Sequence, residues 1–416
     1  MADVCVVGGG PAGMAVAARA AKNGHTVTLV DAAGHLGGRL RTQLASGEVV
    51  ETGAADMVLP ATLRDLYRKT GRPLERELSL IMIEGTRDHR ELVALDHIGI
   101  PLTGRGAQQA AVAEAVGEDA AQQWTRAVDR AGELWTARHG DWETLPHATR
   151  DTFRLTRSEA RSVLSPVLKH AASTAGATRA IVPGVVASRT YLEQALGIWR
   201  PEGGSAALAD SLVARLRLRE VTVHTGSPVT GLLARADGSV GGIRTAGGNQ
   251  HADVVVLTVG VPELRTILNH TTHVRGLRRL RYRLRFVRAA PVPRVTLATM
   301  DEGKAPTAFE TVFHRQSTVV RRHEARADGT VPLTILRYGS SPQLPLDAGV
   351  TTEISQPPFA SGPSLASVQR LRLLPHIHGQ VPGLMVAGPS THLAGLLSTE
   401  LLSAAIAVEA LGRAAH

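Results

Sequence analysis

The chain opens on a glycine-rich turn set between two apolar strands, and few folds accommodate that arrangement. Val4-Cys5-Val6-Val7 has no polar face, so it reads as a strand buried on both sides. Gly8-Gly9-Gly10-Pro11-Ala12-Gly13 follows directly. In a strand–turn–helix unit Gly8 permits the tight turn and Gly10 lets the backbone approach a pyrophosphate. Gly13 then lets the next helix pack close to the sheet. That helix, expected over Ala12–Asn23 behind Pro11, would aim free N–H groups and its positive dipole end at the phosphates. Gly24 ends it and a second strand spans Thr26–Val30. Asp31 stands 21 residues after Gly10, where an acid accepts hydrogen bonds from a ribose hydroxyl. Strand, glycines, helix, strand and acid within roughly 30 residues specify a dinucleotide site on an α/β sheet.

Gly37-Gly38-Arg39-Leu40-Arg41-Thr42 sharpens this reading. The two glycines let a loop fold back over the pyrophosphate, and the Arg39 guanidinium can form charge-assisted bonds to its oxygens. With this element the N-terminus resembles the FAD-binding segment of the amine oxidase and phytoene desaturase superfamily, in which a GGR-x-x-T element follows the ribose acid. Glu51-Thr52-Gly53-Ala54-Ala55-Asp56 is similar to the acid-x-Gly segment those enzymes place beside the flavin, which implies contacts from Gly53 and Ala54. The resemblance implies an α/β fold: a Rossmann-like FAD-binding domain of the amine oxidase type with an inserted α+β substrate domain.

Two later clusters extend the resemblance over nearly the whole chain. Trp199-Arg200-Pro201-Glu202-Gly203-Gly204-Ser205 leads into a helix ending near Leu216, with Ser205 as the expected N-cap. Strand-like segments follow at Val221–His224, Val229–Leu233 and Ala252–Val259, and Pro262 starts a short helix. In the family the residue matched by Val229 offers its backbone to the adenine. Near the C-terminus Gly383–Gly388 reads as a buried strand reaching a turn. A helix follows from about Leu396 to Leu411, with Leu397, Leu401, Ala404 and Val408 on one stripe. In the family this strand–turn–helix closes over the flavin, which implies roles for Gly388 and Ser390. Ser390-Thr391-His392 resembles a stretch of bacterial phytoene desaturases, but Leu393-Ala394-Gly395-Leu396 replaces their Pro-Gly-x-Gly. Residues 1–60, 199–260 and 365–416 are thus expected to form the FAD-binding domain. Residues 61–198, mainly helical by pattern, and 261–364 would form the substrate domain. Helices are expected at Ala107–Val116, Asp119–Arg138 and Thr156–Ala172, strands at Arg294–Thr299 and Val331–Arg337, and an irregular loop over Pro342–Pro363.

At 416 residues the chain can bury about two cores, and with 3% aromatics these must be built from Ala, Val and Leu. The single cysteine, Cys5, excludes an intramolecular disulfide and fits a reducing cytoplasm, the expected location. Neither a signal peptide nor an apolar run of membrane-spanning length is read. The net charge of +9 is concentrated in Arg275–Arg288, which from Arg279 onward alternates basic and apolar residues as a strand with one solvated face would. A solvated edge, a peripheral membrane contact and an anion-binding wall compete for this run. No recognition motif accompanies the charge, so nucleic acid is not an expected partner.

Hydride transfer to a flavin asks the protein mainly for positioning, dryness and charge. By resemblance His392 lies at the flavin edge and is the first candidate for a base; packing within its turn is the alternative. Arg200 is the second catalytic candidate, as a holder of a substrate carboxylate, with pyrophosphate binding or structural pairing as alternatives. Glu400 is expected in a structural polar contact or in solvent. His376 and His378 lack the partners of a metal site, and no metal is expected. The resulting expectation is an FAD-dependent oxidoreductase taking hydride from a small, largely apolar or polycyclic metabolite. Oxygen or a quinone would accept the electrons, since no second dinucleotide fingerprint is visible. Amine or amino-acid oxidation, a redox-neutral flavin isomerisation, and a non-catalytic lipid-binding chaperone of the Rab GDP-dissociation-inhibitor type remain alternatives.

Overall fold

Val4 and Val6 face one side of a sheet and Cys5 and Val7 the other, and both sides are covered. The computed structural model describes all residues except 45–48, 93–94, 138–151, 175–181, 340–344, 348, 355–363, 365–366, 368–380, 392–396 and 413–416. The chain divides into two units. The first comprises Met1–Ile81, Trp199–Ala290 and Pro358–His416, the second Met82–Ile198 and Pro291–Pro357. These bounds differ from the expected ones at 60, 260 and 365. The helix Ala61–Thr70 packs Leu63, Leu66 and Tyr67 into the first core, and Val261–Asn269 and Leu277–Leu284 cover its second face.

The first unit is built on a parallel sheet in the order Thr222–His224, Thr26–Val30, Asp3–Val7, Val254–Leu257, Leu384–Val386. On one face the helices Pro11–Lys22 and Leu397–Leu411 pack together, and the expected stripe of Leu397, Leu401, Ala404 and Val408 is buried there. The other face carries a three-stranded antiparallel sheet, Val229–Ala234, Val240–Thr245 and Gly248–His251. Burial pushes the Cys5 thiol up to about 12, so it is a small core residue and not a nucleophile.

The Arg275–Arg288 run is not a strand. Leu277–Leu284 is a helix whose Leu277, Leu280 and Leu284 are buried at helical spacing. The alternating pattern loses because the apolar surface available to cover it, including Leu232, Ile243, Leu264 and Leu268, accepts one stripe of leucines.

The second unit holds a seven-stranded sheet in the order Val350–Ile354, Arg294–Asp301, Thr330–Arg337, Thr318–Arg322, Glu310–Phe313, Thr86–Arg90, His97–Pro101. Two of these strands belong to the segment expected to be mainly helical, and Val350–Ile354 lies inside the expected irregular loop. Thr86-Arg87-Asp88-His89-Arg90 carries no apolar alternation; it becomes a strand by pairing in parallel with Glu310–Phe313. The expected helix over Thr156–Ala172 is divided into a short turn, Glu159–Arg161, and a helix, Leu164–Thr174. Pro166 has no N–H to donate and fits only a first turn. Arg105–Val116 and Glu118–Thr136 form near the expected positions.

An ionic chain with two buried carboxylates, Glu193 and Glu310, links this second sheet to the helix Gly184–Leu196. Arg87 donates to Glu193 (2.9 Å) and Glu310 (2.8 Å), Arg321 donates to Glu310 (2.7 Å), and Arg189 to Glu193 (2.8 Å). Burial opposes charge on both carboxyls, yet the flanking guanidiniums hold them below their ordinary range. Beside the chain His89 Nδ1 lies 3.0 Å from His314 Nε2, and His170 packs on His314 at 5.1 Å. Burial pulls His170 and His314 down to about 4 and His89 well below its ordinary value, aided by the charge of Arg87 near His89 and His170 and by the imidazole neighbours.

This cluster makes the unit acid-sensitive. Histidines with depressed values in the fold contribute stability above about 6.5, the unfolded value, and lose it as pH falls toward 4. The buried carboxylates add a further loss below their unfolded value of about 4.3. Melting temperature is therefore expected to fall progressively from pH 7 to pH 4, and replacing His314 with glutamine should flatten the upper part of that decline.

Candidate flavin site

The glycine turn has the geometry its residue types require. Gly8 is in a left-handed conformation (φ 108°), and its N–H donates to the Val30 carbonyl at 2.8 Å, carrying the ladder between the first two strands into the turn. A Cβ on Gly13 would overlap the Gly8 carbonyl oxygen, so the helix Pro11–Lys22 approaches the turn as closely as glycine allows. Thr258, which sequence reasoning missed, pins the same turn by donating to the Val7 and Gly8 carbonyls, both at 2.9 Å. Its signal was a hydroxyl at the end of an otherwise apolar strand.

Gly10 differs from its neighbours. A Cβ there would meet no protein atom within 4 Å, and its backbone (φ −74°, ψ −177°) suits any residue. The helix it caps has no side-chain hydrogen bond at its N-terminus and begins with Pro11. Open space before uncapped N–H groups is a cradle for an anion.

The Gly37–Gly38 loop folds back on this turn. The Gly37 N–H donates to the Gly9 carbonyl at 2.9 Å, and a Cβ on Gly38 would lie 3.0 Å from the Gly10 Cα. Arg39 is thereby buried, and its Nε has no hydrogen-bond partner among the described residues. A buried guanidinium N–H without a partner, carried by the residue that follows the loop packed on the anion cradle, suits a pyrophosphate. Its other neighbour is Glu400, 3.5 Å away and 3% exposed in the first turn of the C-terminal helix. Burial pushes the Glu400 carboxyl up, with Arg39 opposing. The structure therefore places Glu400 in a polar contact and not in solvent.

Asp31 accepts from the Gly9 N–H and, at 2.7 Å, from the Ala33 N–H. The Asp31 carbonyl accepts from the Ser227 N–H at 2.8 Å, which brings the chain leading into Val229 alongside the acid. On the other side Gly388 lies against Ala12: a Cβ on Gly388 would approach the Ala12 Cβ to 2.8 Å. Its N–H donates to Ser403 at 2.6 Å, and the Ser390 hydroxyl donates to the Val259 carbonyl. Gly8, Gly10, Pro11, Ala12, Gly13, Asp31, Gly37, Gly38, Arg39 and Gly388 are thus brought together around one turn.

The acid-x-Gly segment and the Trp199 cluster form a single construction. Glu51 accepts from the Ser205 N–H (2.6 Å), the Ser205 hydroxyl (2.7 Å) and the Gly53 N–H (2.5 Å), and the Ala55 N–H donates to Ser205 Oγ (3.1 Å). Burial alone would raise the Glu51 carboxyl, but these hydrogen bonds and the Arg200 charge hold it below its ordinary range. Ser205 is consequently not the N-cap. Gly203 holds that position, and Ser205 sits within the first turn with its donors taken by Glu51. Arg200 gives Nε and Nη2 to Asp56 at 2.7 and 2.8 Å, the structural pairing among its alternatives. Both side chains are largely buried, and through this pair Arg200 serves the architecture of this wall. His392, like His376 and His378, lies outside the described residues. Among those described, no group of His, Cys, Asp or Glu can hold a metal ion, and no helix is long and apolar enough to cross a membrane.

Comparison with known proteins places this geometry. The chain is 29% identical over 287 residues to an all-trans-zeta-carotene desaturase of Myxococcus xanthus, covering 61% of this chain and 52% of that protein. It is 27% identical over 278 residues to a hydroxyneurosporene desaturase of Cereibacter sphaeroides, covering 59% and 53%. The chain thus spans about half the length of the curated relatives it matches. In solved structures it is similar to an oxidoreductase from Methanosarcina mazei, with a TM-score of 0.67 at 14% identity over 98% of this chain and all of that one, a likeness of fold alone. The profile of the flavin-containing amine oxidoreductases matches residues 11–292. With this match over two thirds of its length, and with an open helix N-terminus, the Gly37–Gly38 loop and Asp31 gathered at one turn, the chain belongs to the flavin-containing amine oxidoreductase family, and its cofactor is FAD.

Proposed function

We propose that this protein is an FAD-dependent desaturase or dehydrogenase that removes hydrogen from a small, largely apolar or polycyclic metabolite. The observation that carries the reading is the similarity over 287 residues to an enzyme named for desaturating a carotene. FAD, when bound, supplies a hydride acceptor at its N5. The chain's own residues do the rest. The Gly8–Gly13 turn, the helix behind it and Arg39 hold the pyrophosphate, and Asp31 orients the adenosine ribose. The backbone at Val229 contacts the adenine. Gly53 and Ala54, held by the Glu51–Ser205 and Asp56–Arg200 pairs, line the flavin wall, with Gly388 and Ser390 on the turn at its other end. His392 takes the proton lost with the hydride. Oxygen or a quinone receives the electrons.

An amine or amino-acid oxidase is the second reading, supported by the description of the family. Purified protein should show flavin bands near about 370 and 450 nm and release FAD on denaturation. Anaerobic bleaching by polyenes and not by amines supports the proposal; bleaching by amines alone overturns it in favour of the oxidase. A colourless protein that refuses added FAD would leave the lipid-binding chaperone. Replacing His392 with alanine is expected to lower kcat about 100-fold at unchanged flavin content, the scale of one lost general base.

A further inference from the structure

The arginine-rich helix presents an outward face that the flavin chemistry does not use. Its inward stripe, Leu277, Leu280 and Leu284, continues to Val287 in the following turn and is buried. On the opposite side Tyr282 and Phe286 are 61% and 54% exposed, and their rings touch edge-on at 5.4 Å and 77°. Helical spacing puts Arg278 and Arg285 on one flank of this pair and Arg279 and Arg283 on the other. Arg275, Arg278, Arg279 and Arg285 are exposed, and none pairs with a carboxylate among the described residues.

Two other arginines tie the helix down at both ends. Arg281 donates to the Leu268 carbonyl (2.8 Å from Nε) and to that of Thr271, fastening the helix to the end of its predecessor. Arg265 donates to the Leu284 carbonyl (2.9 Å) and to that of Val287, closing the other end.

A solvated face accounts for the arginines but not for two large rings held outward together. A nucleic acid offers phosphates, but successive bases stack on flat platforms, which an edge-on pair does not provide. An anionic bilayer satisfies both features: guanidiniums sit at phosphate depth and aromatic rings at the boundary between headgroups and acyl chains. We propose that this face docks the protein on an anionic membrane surface through Arg278, Arg279 and Arg285 around an inserted Tyr282–Phe286 pair.

The test is flotation of the full FAD-loaded chain with vesicles of phosphatidylcholine, alone or mixed with phosphatidylglycerol. Binding is read without turnover, so its outcome is separate from that of the proposed reaction. Partition onto the anionic vesicles, weakened by salt and weak on phosphatidylcholine alone, is the expected result. The double replacement Tyr282→Ser with Phe286→Ser, and separately Arg278→Gln with Arg279→Gln, should each lower it about tenfold. All four side chains are exposed, so flavin spectrum and melting temperature should stay as in the parent, confirming that each variant is folded. Absence of partition onto anionic vesicles overturns the proposal, as does partition unchanged in both variants. So does equal affinity for duplex DNA or polyglutamate that ignores the loss of the two rings.

Discussion

Replacing Gly10 with valine is expected to give a folded protein without FAD. The backbone there suits any residue and, chain neighbours aside, no protein atom lies within 4 Å of the added Cβ, so the apoprotein is expected to fold. What the side chain fills is the space before the helix N-terminus. Pushing a pyrophosphate away forfeits charge-assisted hydrogen bonds worth about 1.5–3 kcal/mol each. Losing two of them weakens FAD binding about a hundredfold or more. Flavin absorbance after purification and the melting temperature of the apoprotein measure the two halves of this expectation. The contrasting variant is Gly13→Val, whose Cβ would overlap the Gly8 carbonyl and which should fail to fold. Full flavin occupancy in Gly10→Val would show that the phosphate turn lies elsewhere.

Replacing Glu310 with alanine should produce the largest loss of stability in the second unit. Glu310 is the shared acceptor of Arg87 and Arg321, and its removal takes one carboxylate from Arg321 and one of two from Arg87, which keeps Glu193. Breaking a buried ion network in this way costs about 3–5 kcal/mol. For a unit of this size each kcal/mol shifts the melting temperature by roughly 2–4 °C. Glu310→Gln keeps an acceptor oxygen and should lose less. Calorimetry at pH 7 separates the cases, and a melting temperature unmoved by Glu310→Ala would mean that the network carries no net stability.

The same network shows why the second unit was hard to foresee. Arg87 and Glu310 are 223 positions apart, and neither strand carries the alternation of apolar residues that marks a half-buried strand. Their charges become buried only when the two inserted segments pair. The flavin turn was readable because its requirements are local: Gly8 for its φ, Gly13 for close packing, Asp31 at a set distance beyond. The wall beside it was half readable. Glu51 and Arg200 could be singled out, but which residues they pair with could not: Ser205 and Asp56 lie 154 and 144 positions away, and of the alternatives open for Arg200 the structure shows the pairing.

The residues Arg279–Phe286 mark the boundary most sharply. Their order satisfies two periods at once, and a strand would group Tyr282, Leu284 and Phe286 on one apolar face. The helix buries Leu284 and turns the two rings outward. Short-range steric and packing rules are written in neighbouring residues and can be read from them. Whether a leucine stripe or an alternating face is buried depends on the surface waiting to receive it. That surface comes from Leu232, Ile243, Leu264 and Leu268, brought together only when the chain folds.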